Sequence, residues 1–257
     1  MSLLSNYRTV DLFGIKIYSV RMDDILAFCE DHIKRRSNLC LGMVNVAKIV
    51  NSRTDLSLRR SLNEADIILA DGLPIVWLSR LVGKPLLERV AGIDIMFCLL
   101  ENASKKKYRV FFLGARRKIL QKVIQGVQTK YPGVCIAGYI DGYFKESEER
   151  NVAKQIKDSS ADILFVAMSS PKKEDFLRKW RKFMDVPICH GVGGSFDVFA
   201  GVTKRAPIWM QKSGLEWLYR VIQEPRRLWK RYLVTNTIFI ILSVKAIFHA
   251  RFKRIFS

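Results

Sequence analysis

Short apolar runs rich in β-branched and aromatic residues alternate along the chain with longer stretches whose apolar positions recur every three or four residues. The short runs predict strands over residues 39–44, 66–70, 109–113, 134–139, 162–167 and 187–190. Each ends in residues that turn a chain: Asn45, Asp71-Gly72, Gly114-Ala115, Asp141-Gly142, Ser169-Ser170-Pro171, and the run from Gly191 to Ser195. The amphipathic stretches predict helices between them, among them 118–130, closed by Pro132-Gly133, and 147–157. This alternation specifies an α/β, Rossmann-like fold, with a mostly parallel sheet and helices on both faces. Ligands of such sheets bind beyond the carboxyl ends of the strands, so the turns are where chemistry is expected.

Charge changes the picture most at the end of the chain. The 257 residues hold 44 Lys and Arg against 24 Asp and Glu, a net charge of +20 that calls for an anionic partner. From Lys204 onward there are twelve basic residues and two acids, Glu216 and Glu224, together with three of the five tryptophans. Residues 233–248 are largely apolar but fall short of the ~20 that span a bilayer. With Lys245 among them, they predict a segment lying in a membrane interface rather than crossing it. A pI near 10.0 and nine aromatics in this module would also suit a nucleic-acid-binding protein. No nucleic-acid reader motif occurs, and the basic residues flank an apolar helix, so nucleic acid is not the expected partner. The five cysteines are scattered without metal-ligand spacing and read as reduced core residues. The N-terminal stretch lacks a continuous apolar core of the signal-peptide kind, which predicts a cytoplasmic location.

Several polar residues fall at the predicted turns. Asp71, in IILADGLP, follows a strand and precedes a helix entry, as either a turn acceptor or a carboxylate at the crevice mouth. Asp94, in RVAGID, has the same ambiguity and is placed to cap a helix from Ile95, while Arg89 nearby can pair with it or bind phosphate. GVGGSFD, residues 191–197, joins a strand to a helix and can cradle a diphosphate with its backbone amides. It lacks the spacing of dinucleotide-binding and P-loop motifs. His190 reads as a strand residue, having no second ligand at metal spacing. Arg220, Arg227 and Arg231, at i, i+7 and i+11, predict one basic face of a single helix, suited to a diphosphate or to lipid headgroups.

Together the runs NVAKIV (45–50), ADG (70–72), ERVAGID (88–94), DGYF (141–144), VAMSSPKKE (166–174), GVGGSFDVFAG (191–201), KRAP (204–207) and LEWLYR…EPRRLWKRY (215–232) resemble the WecG/TagA/CpsF glycosyltransferases. The resemblance is ordered and extends from about Phe13 to Tyr232. It implies an inverting enzyme at the inner face of the plasma membrane, peripheral and cytoplasmic, that moves a sugar from a UDP-sugar to a sugar on a polyprenyl diphosphate. N-acetylmannosamine, its uronic acid or a related hexose is the expected sugar. It also implies a catalytic domain over 1–203 and a basic helical appendage over 204–257 that completes the active site and binds an anionic membrane. Oligomeric state is not fixed, a homo-oligomer included. Asp71 takes the place of the general base, with Asn45 beside it; Gly72, Arg89, Gly92 and Asp94 match a pocket motif. Gly191, Gly193, Gly194 and Asp197 match the turn near the nucleotide, and Arg220, Arg227 and Arg231 match the arginines of the appendage. Lys173 and Glu174 stand in a pocket loop where the family pattern is Pro-Lys-Gln-Glu, so Lys173 puts a cation in place of an amide and favours an acidic donor. Met43, Ala91 and the DGYF run bring the chain nearer the WecG branch. No DxD run is present, and neither a metal nor a further cofactor is expected.

Overall fold

The computed structural model describes residues 7–255, with side chains to Phe252. The first six residues, part of the stretch read as lacking a signal peptide, lie outside the described residues. The chain opens with a hairpin, β1 (Thr9–Leu12) and β2 (Ile15–Tyr18), and helix α1 (Met22–Arg35). A central unit follows: β3 (Leu39–Val44), α2 (Val46–Asn51), α3 (Leu56–Asn63), β4 (Ile67–Ala70), α4 (Leu73–Leu81) and α5 (Gly92–Lys106). Next come β5 (Arg109–Gly114), α6 (Arg117–Lys130), β6 (Cys135–Ile140), α7 (Glu149–Asp158), β7 (Ile163–Ala167), α8 (Lys172–Met184) and β8 (Ile188–Gly191). Four helices close the chain: α9 (Ser195–Phe199), α10 (Ile208–Lys212), α11 (Glu216–Gln223) and α12 (Pro225–Ile255).

Six strands form one sheet in the order β4-β3-β8-β7-β5-β6, every neighbouring pair parallel. Successive residues of a strand point to opposite faces, and here both faces are apolar. Ile163, Phe165 and Ala167 of β7 enter the core beneath α1, α5 and α6, while Leu164 and Val166 enter the one beneath α7 and α8. That double burial is why the strands read as unbroken apolar runs. All six lie within one residue of their expected bounds.

The hairpin was not among the expected elements. Val10, Leu12, Ile15 and Ile17 alternate inward, and the chain reverses at Phe13 and Gly14, both with positive φ. Its inner face joins a third core with α2, α3 and α4 beside β4.

The appendage departs from its expected form. Arg220 lies on α11, whereas Arg227 and Arg231 lie on α12, because the helix breaks at Glu224 ahead of Pro225. The single basic face therefore does not form. Helix α12 is also longer than the 16-residue stretch suggested: Pro225–Phe252 is long and apolar enough to cross a membrane, its 18-residue apolar stretch having a mean hydropathy of 1.7. Instead it lies along the body, where Thr235 and Phe239 are buried and Phe239 packs edge-on against Phe13.

Candidate active site

The carboxyl ends of β3, β4 and β8 bring Asn45, Asp71 and the glycine turn to one edge of the sheet. Asn45 caps α2, its side-chain oxygen accepting from the Lys48 amide at 3.1 Å. Gly72 is the residue that caps α4, so Asp71 is free of that duty. The Asp71 carboxylate turns toward α5 and accepts from the Gly92 amide at 3.2 Å. A Cβ on Gly92 would stand 3.3 Å from Met43 Cγ, a tight contact, and at ordinary contact distance from the His190 ring. His190, fully buried, engages the Gly92 carbonyl through Nε2 at 2.8 Å, and burial pushes its pKa down to about 4, so the ring is neutral. One residue, through its amide and its carbonyl, thus ties the ends of β4 and β8 to the start of α5. The recess is dry enough that burial pushes the Asp71 carboxyl up to about 6, against the opposing pull of Arg89, the Gly92 amide and Arg220. A carboxylate with that pKa accepts a proton readily near neutral pH.

Around Asp71 the acids and arginines interleave. Asp94 does not cap its helix from outside; α5 starts at Gly92 and Asp94 sits in its first turn. There it binds Arg205 at 2.6 and 2.8 Å, and lies 3.7 Å from Arg89. Arg89 pairs chiefly with Glu216 of α11. Arg205 and Glu216 were not expected at the site, although KRAP and LEWLYR were both noted. An acid in a module of twelve basic residues was the available signal. Ile93, Val198, Lys204, Arg205, Glu216 and Arg220 line a cleft of about 300 Å³, part of it open to solvent.

The glycine turn differs from a simple diphosphate cradle. The Val192 and Gly193 amides both donate to the Val166 carbonyl and the Ser195 amide donates to Val192, so these three are occupied within the turn. Gly193 has φ +53°, and a Cβ on Gly194 would stand 3.8 Å from Arg220 Nη1 and from Asp197 Oδ2. The cation facing this turn is thus a side chain. Burial raises the Asp197 pKa, with Arg227 opposing. Arg227 itself reaches Glu224 at 2.8 Å and is largely exposed, while Arg231 lies against the Tyr232 ring.

Lys173 does not offer a cation to the open cleft. It is 5% exposed, paired with Glu174, and its stem packs where a Cβ on Gly191 would be, 2.8 Å from its Cδ. Lys48 reaches the same Glu174 oxygen at 2.8 Å. Burial pushes the Glu174 carboxyl up, but the two ammoniums overcome it and hold the pKa down to about 2. Burial and Lys48 lower Lys173 to about 8. Lys173 is thus paired inside the protein, away from the cleft lined by Arg205 and Arg220.

Residues 10–253 match the sequence model of the "Glycosyl transferase WecG/TagA/CpsF family". The chain belongs to this family. Three relatives share one name, N-acetylglucosaminyldiphosphoundecaprenol N-acetyl-beta-D-mannosaminyltransferase. The protein from Bacillus spizizenii is 45% identical over 172 residues, 67% of this chain and 66% of the relative. Those from Bacillus subtilis and Staphylococcus aureus are 36% and 32% identical, each over 88% of both chains. As a member, the chain is a glycosyltransferase.

Proposed function

We propose that this protein transfers N-acetylmannosamine, with inversion, from a UDP-sugar to N-acetylglucosamine carried on undecaprenyl diphosphate, at the inner membrane face. The acceptor and the sugar follow the name its relatives share. Asp71 carries the reading: a recessed carboxyl pushed up to about 6 at the strand ends, faced by Arg89 and Arg220. It takes the proton of the acceptor hydroxyl as that oxygen attacks the anomeric carbon from the face opposite UDP. Arg220, over the glycine turn, balances the charge that develops on the departing diphosphate. A membrane-linked acceptor and the apolar α12 together support a location at the membrane, which we take to be peripheral.

Asp71→Asn keeps the shape and the bond from Gly92 but cannot take a proton. Turnover with saturating UDP-N-acetylmannosamine and acceptor should fall by about 10²–10⁴. Undiminished turnover in the folded variant would reduce Asp71 to a turn residue. With arginines serving the diphosphate, UDP release should persist in EDTA; inhibition that Mg²⁺ or Mn²⁺ reverses would replace this arrangement with a metal-assisted one.

A further inference from the structure

Helix α4 begins two residues after Asp71, and its sequence, LPIVWLSRL, is apolar on both sides. Ile75, Val76 and Leu78 fill the core shared with the hairpin and with Phe239 of α12. Trp77 and Leu81 point the other way, 43% and 59% exposed, one turn apart on the same face. Trp77 is not loose: its ring lies against Gly214, where an added Cβ would stand 2.8 Å from the indole. Gly214 lies two residues beyond the end of α10, whose Ile208 and Trp209 are themselves exposed.

We infer that the outer face of α4 is a second membrane-contact surface, belonging to the catalytic body itself and fitted to an anionic bilayer. This rests on the peripheral-membrane reading of the protein and adds to it a site outside the appendage. Helix α12, which packs against α4, also leaves apolar residues outward, with Ile240, Ile241 and Phe248 at least half exposed. Its charge is complementary to anionic headgroups. Helix α4 carries Arg80 and no acid, the loop after it adds Lys84, and α10 ends on Lys212. A second copy is a poor occupant, since each chain brings +20 and the facing surfaces would both be basic. A tryptophan with its ring braced and its edge outward, flanked by basic residues with long stems, matches an interfacial anchor. The consequence is positional. Trp77 is six residues beyond Asp71 and four beyond Leu73, where α4 starts, about 6 Å along the helix axis, so seating α4 in the headgroups holds the carboxylate within reach of a sugar carried on a membrane-bound diphosphate.

The test uses the full chain with Trp77 as its only tryptophan, Trp180, Trp209, Trp217 and Trp229 being replaced by Phe. It is mixed with phosphatidylglycerol vesicles whose acyl chains are brominated, and a Trp229-only chain serves as the reference for α12. Trp77 fluorescence should fall at least twofold on binding, as Trp229 fluorescence does. Quenching of Trp229 with Trp77 untouched overturns the inference and leaves the peripheral reading standing; quenching of neither overturns both. Leu81→Glu in the natural sequence, at a solvent-facing position that does not tax the fold, should weaken vesicle binding about tenfold. Unchanged vesicle affinity together with a lower sedimentation coefficient in lipid-free buffer would assign this face to a second copy instead.

Discussion

At the scale of the residue, the molecule holds charged groups where water is scarce and sets each by its neighbours. Asp71 is raised, so its ionised form is the disfavoured one in the folded protein. A carboxyl that keeps its proton in the native state after the unfolded chain has lost it contributes stability below about pH 4. That contribution declines as pH climbs through the folded value near 6. Two expectations follow from this one group. The rate should rise with pH up to about 6 and then level, a limb that Asp71→Asn abolishes. The same variant, freed from burying a charge, should be more stable than the natural protein at pH 7.5, by about 1–3 kcal/mol at ~1.4 kcal/mol per pKa unit, in urea unfolding. Lower stability of the variant would mean that the arginines depend on this carboxylate more than burial opposes it. Glu174 is the opposite case, a depressed carboxyl between two ammoniums. Glu174→Gln leaves Lys48 and Lys173 facing each other without a counter-charge, and should destabilise by about 3–5 kcal/mol in the same assay. A loss below 1 kcal/mol would show that Lys173 sheds its proton at little cost.

At the scale of the element, α12 has two faces with different work. Thr235 and Phe239 belong to the body, and Leu233, Ile240, Val244 and Phe248 face outward. Ending the chain after Tyr232 therefore removes a buried aromatic from the hairpin core as well as an apolar surface. The shortened protein should lose most of its affinity for anionic vesicles, and its melting temperature should drop by several degrees, since vacating a core phenylalanine costs about 3–5 kcal/mol. It should still turn over a short-chain soluble acceptor, because Arg220 and Glu216 sit on α11, ahead of the cut. Equal sedimentation of the full and shortened chains with vesicles would move the anchor elsewhere. The break between α11 and α12 matters to this division. Arg220 lies on a separate helix from the one that carries Arg227 and Arg231.

At the scale of the whole molecule, a parallel sheet places its polar chemistry at one edge and its excess positive charge is gathered where the chain ends. The two are brought together by folding α10 and α11 back over the strand ends, so that Arg205 meets Asp94 and Glu216 meets Arg89 across more than a hundred residues of sequence. Acids and arginines balance in that cluster, and the surplus basic residues remain free for an anionic surface. Vesicle binding should accordingly weaken as NaCl is raised from 50 to 500 mM, with the apolar contacts of α12 leaving a salt-resistant remainder. Binding wholly indifferent to salt would assign the association to hydrophobic contact alone.

What the sequence determined by itself is local. A strand buried on both faces must be apolar at every position, which is why 39–44 and 162–167 were legible; a turn must accommodate its backbone, which is why Asp71-Gly72 and Gly191 to Ser195 stood out. Asp71 was visible for the same reason, as a carboxylate at a strand end, and its role as base came only with the family resemblance. The short hairpin was overlooked because two four-residue strands give too few alternations to register, although the Phe13-Gly14 reversal marked it. Pro225 marked a helix start that the arginine spacing obscured. What only the tertiary structure decided is pairing. No local pattern could say that Asp71 would take its hydrogen bond from Gly92, that Arg89 would choose Glu216, or that Lys173 would turn inward to Glu174. Those outcomes depend on which elements the sheet order sets side by side, and on how much water is left between them to screen a charge.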